Sequence, residues 1–152
     1  MSCSCCEKKT VVIENGPIAI GPYSLGVIAN GFVFASGQLG LDPVTGNMVE
    51  GGVEAETRQA LLNAKAILEA AGSGLDKVVK TTVFLQDIAD FARMNAVYAE
   101  FFPSEPPARS AFQVAALPKG AAVEIETLAL TCDCDGDCDC ENEGDEGCCC
   151  GK

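Results

Sequence analysis

The residues best suited to do chemistry lie in two neighbouring runs, Pro106-Pro107-Ala108-Arg109-Ser110-Ala111-Phe112-Gln113-Val114 and Val123-Glu124-Ile125-Glu126. They supply one arginine and two carboxylates. A guanidinium is a planar fork that can grip both oxygens of an acid and keeps its charge at any working pH. The chain has no histidine, so an imidazole-based triad, a histidine zinc site and histidine-dependent phosphodiester cleavage are excluded. The general base is then read as a carboxylate, with Glu124 and Glu126 the leading candidates.

Leu117-Pro118-Lys119-Gly120 separates the two runs and reads as a hairpin loop. With side chains alternating between faces, that loop sets Gln113 opposite Glu124, Ala111 opposite Glu126 and Arg109 opposite Leu128, all on one face. Phe112 then points to the other face, into packing. Arg109 follows two prolines at the start of its strand, where a chain leaving a turn is near a surface or cleft. Two readings of Arg109 stay open on this geometry: a grip on a carboxylate ligand, or a structural ion pair with the chain's own glutamates.

The elements that must position these residues form an ordered α+β pattern. Residues 11–14, 24–29 and 32–36 read as short strands, with Asn30-Gly31 as a two-residue turn between the last two. Ala60, Leu61, Ala64, Ile67, Leu68 and Ala71 recur at three and four residues, which predicts a helix from Val53 that Gly72 ends. Residues 77–86 read as a longer strand. Asp87 can cap a second helix with the stripe Ile88, Phe91, Met94, Tyr98 and Phe101, ended by Pro103. Two helices amid some six strands imply one mixed sheet with both helices on one face. The other face then needs cover, for which subunits joined sheet to sheet are the simplest source.

The chain has 152 residues, 48% of them hydrophobic, enough for one domain with a core. All ten cysteines lie outside residues 7–131: Cys3, Cys5 and Cys6 at the start, the other seven from Cys132 onward. A body without cysteine fits a reducing compartment. Residues 132–152 hold eight acids and one lysine, a net charge of −7 within a total of −12. Neither part resembles a phosphate-binding surface, so no nucleic acid is expected as a partner. Residues 1–10 contain no apolar core of a signal peptide, and no apolar run approaches membrane-spanning length; a cytoplasmic protein without a membrane partner is expected. Three segments follow: a cysteine-containing tail over 1–9, a domain over 10–131 and a cysteine-rich acidic tail over 132–152.

Gly21-Pro22-Tyr23-Ser24, Ala35-Ser36-Gly37-Gln38, Met94-Asn95-Ala96-Val97-Tyr98, Pro107-Ala108-Arg109-Ser110 and Glu124-Ile125-Glu126 together resemble the Rid/YjgF family, the reactive intermediate deaminases. Several motifs in unbroken order are far more specific than any one. The resemblance implies a chorismate-mutase-like protomer, a homotrimer with a closed sheet core, and clefts between neighbouring subunits. It also implies hydrolysis of 2-enamine and 2-imine acids to 2-keto acids and ammonia, with no cofactor. Carried onto this chain, Arg109 would hold the substrate carboxylate, Glu124 would position water and Tyr23 would contribute from the cleft wall. Gly37 and Asn95 would shape the pocket, and the backbone at Ala111 would meet the substrate nitrogen. Two positions depart from the family pattern: Leu25 stands where a glutamine is common, and Ala111 where a cysteine or threonine is.

In the hairpin register, Glu124 lies four pairs from Arg109, roughly 13 Å along the strand at about 3.3 Å per residue. One small substrate cannot span that. A working site is therefore expected to take Arg109 from one subunit and Glu124 from the next, with Glu126, about 7 Å from Arg109 on the same spacing, structural. The alternatives are a non-catalytic or chaperone-like trimer that binds small carboxylic acids, and the ribonuclease activity also linked to the family, which the acidic balance disfavours. In the tail, Cys132-Asp133-Cys134 and Cys138-Asp139-Cys140 are two Cys-x-Cys pairs able to chelate a soft ion such as Zn or Cu(I). Redox exchange, no role, and lipidation of the cysteine triplets are the competing readings.

Overall fold

The computed structural model describes residues 7–14 and 16–131. Six strands form one mixed sheet in the order β1-β2-β3-β6-β4-β5. They are β1 (Lys9–Thr10), β2 (Gly26–Ala29), β3 (Phe32–Leu39), β4 (Val78–Leu85), β5 (Ala108–Gln113) and β6 (Val123–Leu130); the helices are α1 (Gly52–Ala70) and α2 (Phe91–Phe101). The expected strand over 11–14 is instead β1, two residues earlier, with one further bond from Val11 N–H to Gly26 O.

Local chemistry explains the element ends. Asn30 and Gly31 take φ of 49° and 73°, the left-handed pair that a two-residue hairpin needs between β2 and β3. Gly72, at φ 74°, closes α1, and Ser73 N–H donates to Leu68 O at 2.8 Å. Asp87 Oδ1 accepts from Ala89 N–H at 2.9 Å, capping a single 3-10 turn, Ile88–Asp90, that leads into α2.

The expected hairpin between the Arg109 and Glu124 strands does not form. β4 lies between them, with β5 parallel to it on one side and β6 antiparallel on the other. The reason is the crossover: β4, α2 and β5 make a strand-helix-strand unit, which brings β5 back parallel to β4. β6 then takes the remaining side of β4, and the segment 114–122 passes over the end of β4, where Val114 N–H bonds Leu85 O and Gln86 N–H bonds Ala122 O.

This arrangement also overturns the shared face. Arg109 stands abreast of Thr81, which stands abreast of Thr127, and Thr127 abreast of Ala35. That row faces the helices, with Thr81, Thr127 and Ala35 buried. Phe112, Phe84 and Glu124 form a row on the opposite face. Phe112 is therefore not core: it is 45% exposed and meets Phe84 edge-on at 5.3 Å between ring centroids.

Both helices cover one face, as expected, α1 on β3 and β6 and α2 against α1. The core between them holds Leu61, Ile67, Leu68, Val83, Leu85, Met94 and Ile125. The uncovered face carries Phe34 (50% exposed), Glu124, Glu126, Leu128, Leu130 and Phe112. Within one chain the sheet is open, with β1 and β5 at its edges. Among the described residues no helix is long and apolar enough to cross a membrane.

Candidate active site

β3 contains a bulge that builds the first half of the site. Ala35 pairs with Thr127 but Gln38 with Ile125, so one extra residue of β3 is inserted around Ser36 and Gly37. The bulge is pinned from within by the Gln38 amide, which donates to Ser36 O at 3.0 Å and Gly37 O at 3.2 Å. Ser36 Oγ donates to Ser24 O at 2.7 Å, tying the bulge to the turn that carries Tyr23. A Cβ at 37 would overlap the Glu124 carboxylate, so the glycine leaves that side chain the position it holds.

Tyr23, Gly37 and Glu124 thus line one cleft of about 610 Å³. Its walls are largely apolar, from Ile18, Ile20, Leu25 and Leu41, with Lys119 at one side. Tyr23 is 44% exposed, and its hydroxyl accepts from Ile20 N–H at 3.2 Å, which holds the ring against its own turn. Glu124 is half-buried; loss of solvent raises its carboxyl above the usual carboxylate range, and the neighbouring charge of Glu126 adds to the rise. Such a group is a better proton acceptor than an exposed carboxylate.

Arg109, Asn95 and Ala111 lie elsewhere. Arg109 and Ala111 sit on edge strand β5, on the face beneath α2. The guanidinium lies 4.5 Å from the ring centroid of Tyr98 and 5.6 Å from that of Phe91. No carboxylate of the described residues lies within ion-pair distance of it. The structural ion pair with Glu124 or Glu126 is therefore absent, and the hairpin distances that linked these residues do not apply. Asn95 falls on the α2 stripe between Phe91 and Tyr98, and its Oδ1 is buried without a hydrogen-bond partner.

In the sequence Phe91 and Tyr98 read as part of an apolar stripe, which does not reveal their contact with Arg109. The available signal was their spacing around Asn95, four residues before and three after, which puts all three on one helix face. Lys119 and the apolar wall were missed because the segments carrying them converge only in the fold. No group of three or more His, Cys, Asp or Glu able to hold a metal occurs among the described residues. Cys132, Cys134, Cys138 and Cys140 lie outside them.

A family model described as Endoribonuclease L-PSP matches residues 13–131. A 2-iminobutanoate/2-iminopropanoate deaminase of Bos taurus is 51% identical over 81% of this chain and 90% of its own. The chloroplastic Reactive Intermediate Deaminase A of Arabidopsis thaliana is 50% identical over 85% of this chain and 69% of its own. Among solved structures, TdcF of E. coli with bound serine superposes with a TM-score of 0.76 at 42% identity, covering 80% of this chain and 98% of that one.

Proposed function

The chain belongs to the Endoribonuclease L-PSP family, the Rid/YjgF family, and on that premise we propose that it is a deaminase hydrolysing short 2-imino acids such as 2-iminobutanoate and 2-iminopropanoate to 2-keto acids and ammonia. Relatives at about half identity that carry this activity in their names support the reaction class. The observation that carries the site is the condition of Arg109: a guanidinium with no carboxylate partner among the described residues, turned away from the Glu124 cleft of its own chain. This supports a site assembled between subunits of a homotrimer, one lending Arg109, Asn95 and the backbone at Ala111, the next lending Tyr23, Gly37 and Glu124. The uncovered face of the sheet, with Phe34, Leu128 and Leu130, offers the trimer its core.

In this reading Arg109 holds the substrate carboxylate bidentately, and an enamine first tautomerises to the imine. Water adds to the C2 carbon as Glu124 takes its proton. Glu124 returns that proton to the nitrogen to give a neutral carbinolamine, which collapses as its hydroxyl proton passes by way of Glu124 to the nitrogen: the C–N bond breaks, ammonia leaves and the C2=O bond forms. Imine and water give keto acid and ammonia, so the balance needs no oxidant or reductant. A raised carboxyl pKa suits a group that first accepts and then returns a proton.

A continuous assay with freshly generated 2-iminobutanoate tests this. The wild type should accelerate ammonia release and Arg109→Ala should not; equal rates would end the deaminase reading. One observation favours a second reading, acid binding without turnover: the E. coli relative holds serine. That reading predicts ligand binding that Arg109→Ala abolishes, with no turnover by the wild type.

For the tail, binding of a soft ion such as Zn or Cu(I) by Cys132, Cys134, Cys138 and Cys140 is proposed from spacing alone. Native mass before and after chelation decides it. A cysteine-free body is in keeping with action in the cytoplasm.

A further inference from the structure

The chain has three arginines, and two are held by carboxylates. Arg58 makes two hydrogen bonds to Glu100, and Arg93 bonds Glu54 and Asp90. Arg109 is held differently, by aromatic faces: Tyr98 at 4.5 Å and Phe91 at 5.6 Å from the guanidinium carbon. The difference has a chemical consequence. A carboxylate partner occupies the N–H fork, whereas a ring attracts the cation through its face and leaves the donors at the guanidinium rim free.

The Tyr98 ring is itself fixed. Its hydroxyl and Thr81 Oγ share a hydrogen bond of 2.8 Å, with Tyr98 6% and Thr81 0% exposed. Phe102 packs against the same ring at 4.7 Å between centroids, tilted 36°. Thr81 stands directly abreast of Arg109 in the β4–β5 ladder. The strand that sets the arginine backbone therefore also anchors the ring beneath its side chain. Burial raises the Tyr98 phenol, outweighing the Thr81 bond and the nearby Arg109 charge, so the ring stays a neutral phenol.

We propose that Tyr98, locked by Thr81, is a positioning residue for Arg109, whose ring face aims the guanidinium and leaves its N–H fork open to a carboxylate. The inference rests on the reading of Arg109 as the substrate clamp. Tyr98 acts through Arg109 and does not touch the reacting atoms.

The test measures binding of 2-ketobutanoate by calorimetry, together with KM and kcat on 2-iminobutanoate, for the full chain and four variants. Tyr98→Leu removes the ring and should raise KM and the ketobutanoate Kd about tenfold, within the range a cation–π contact is worth, with kcat within about twofold. Tyr98→Phe keeps the ring and should stay within about threefold of wild type. A lowered kcat at unchanged KM, or unchanged KM and Kd, in a Tyr98→Leu protein with wild-type circular dichroism and oligomeric state, would overturn the proposal. Should Tyr98→Leu not fold, Tyr98→Met carries the test: a flexible side chain fills the space without offering a ring face, KM and Kd should still rise severalfold, and a folded Tyr98→Met protein with unchanged KM and Kd would overturn the proposal. Arg109→Ala separates the two readings. If it binds 2-ketobutanoate as tightly as wild type, the clamp itself is wrong; if it does not bind while Tyr98→Leu binds normally, only the positioning role fails.

Discussion

Arg109 and Glu124 of one chain stand on opposite faces of the same sheet, with β4 between their strands. Arg109 is in the row of Thr81 and Thr127, beneath α2, whereas Glu124 is in the row of Phe84 and Phe112, on the uncovered side. Side chains alternate strictly along a strand, so no rotamer of either residue carries it through to the other face. A single chain cannot present both groups to one small acid. If both act on one substrate, two chains must meet around it.

Glu124→Gln should abolish turnover yet stabilise the protein near neutral pH. The folded-state carboxyl is raised by burial and then by Glu126, so the fold favours the protonated form, and stability falls as pH rises from the ordinary carboxylate value through the raised one. Thermal melts of the two proteins at about pH 7 and at about pH 4, near the ordinary carboxylate pKa, check this. The variant's advantage should be present at the higher pH and shrink at the lower; an equal gain at both would refute the electrostatic explanation.

Gly37→Ala should damage the site through Glu124. The added carbon would overlap the carboxylate, so either Glu124 or the bulge must move, at a cost of about 1–3 kcal/mol. Denaturant unfolding of a double-mutant cycle isolates the effect. In a Glu124→Ala background the same glycine change should cost less; additive costs would mean that the clash is with the backbone instead.

Phe34→Asp should split the oligomer. Phe34 is 50% exposed on the uncovered face, beside Leu128 across the β3–β6 ladder, and in the proposed trimer a charge there would have to be buried between subunits. Sedimentation should show the wild type as a trimer and the variant as a smaller species. An unchanged trimer would mean that subunits join elsewhere.

The features legible in the sequence were local ones. The Asn30-Gly31 turn, the α1 stripe with its Gly72 stop and the Asp87 cap each depend on residues within one or two turns of chain. Strand neighbourhood is not local, and there the reading failed. Leu117-Pro118-Lys119-Gly120 looks like a hairpin loop, and period-two alternation does not say which strand lies alongside. The competing signal was present: a strand over 77–86 followed by a helix and another strand predicts a parallel crossover, which places β5 against β4 and leaves β6 the far side. Divided by the same error, the site was half legible. Tyr23, Gly37 and Glu124 converge because the β3 bulge meets the turn before β2, whereas Arg109 is held by rings that a stripe of apolar spacing disguised as core.

The sharpest test is complementation between two inactive proteins. Arg109→Ala and Glu124→Gln, each without activity alone, are mixed in equal amounts, dissociated and reassembled, and assayed on 2-iminobutanoate. If each site takes Arg109 from one subunit and Glu124 from its neighbour, random assembly leaves about one interface in four with both residues intact, and about a quarter of wild-type activity should return. A mixture that assembles into trimers and stays inactive would contradict the shared site.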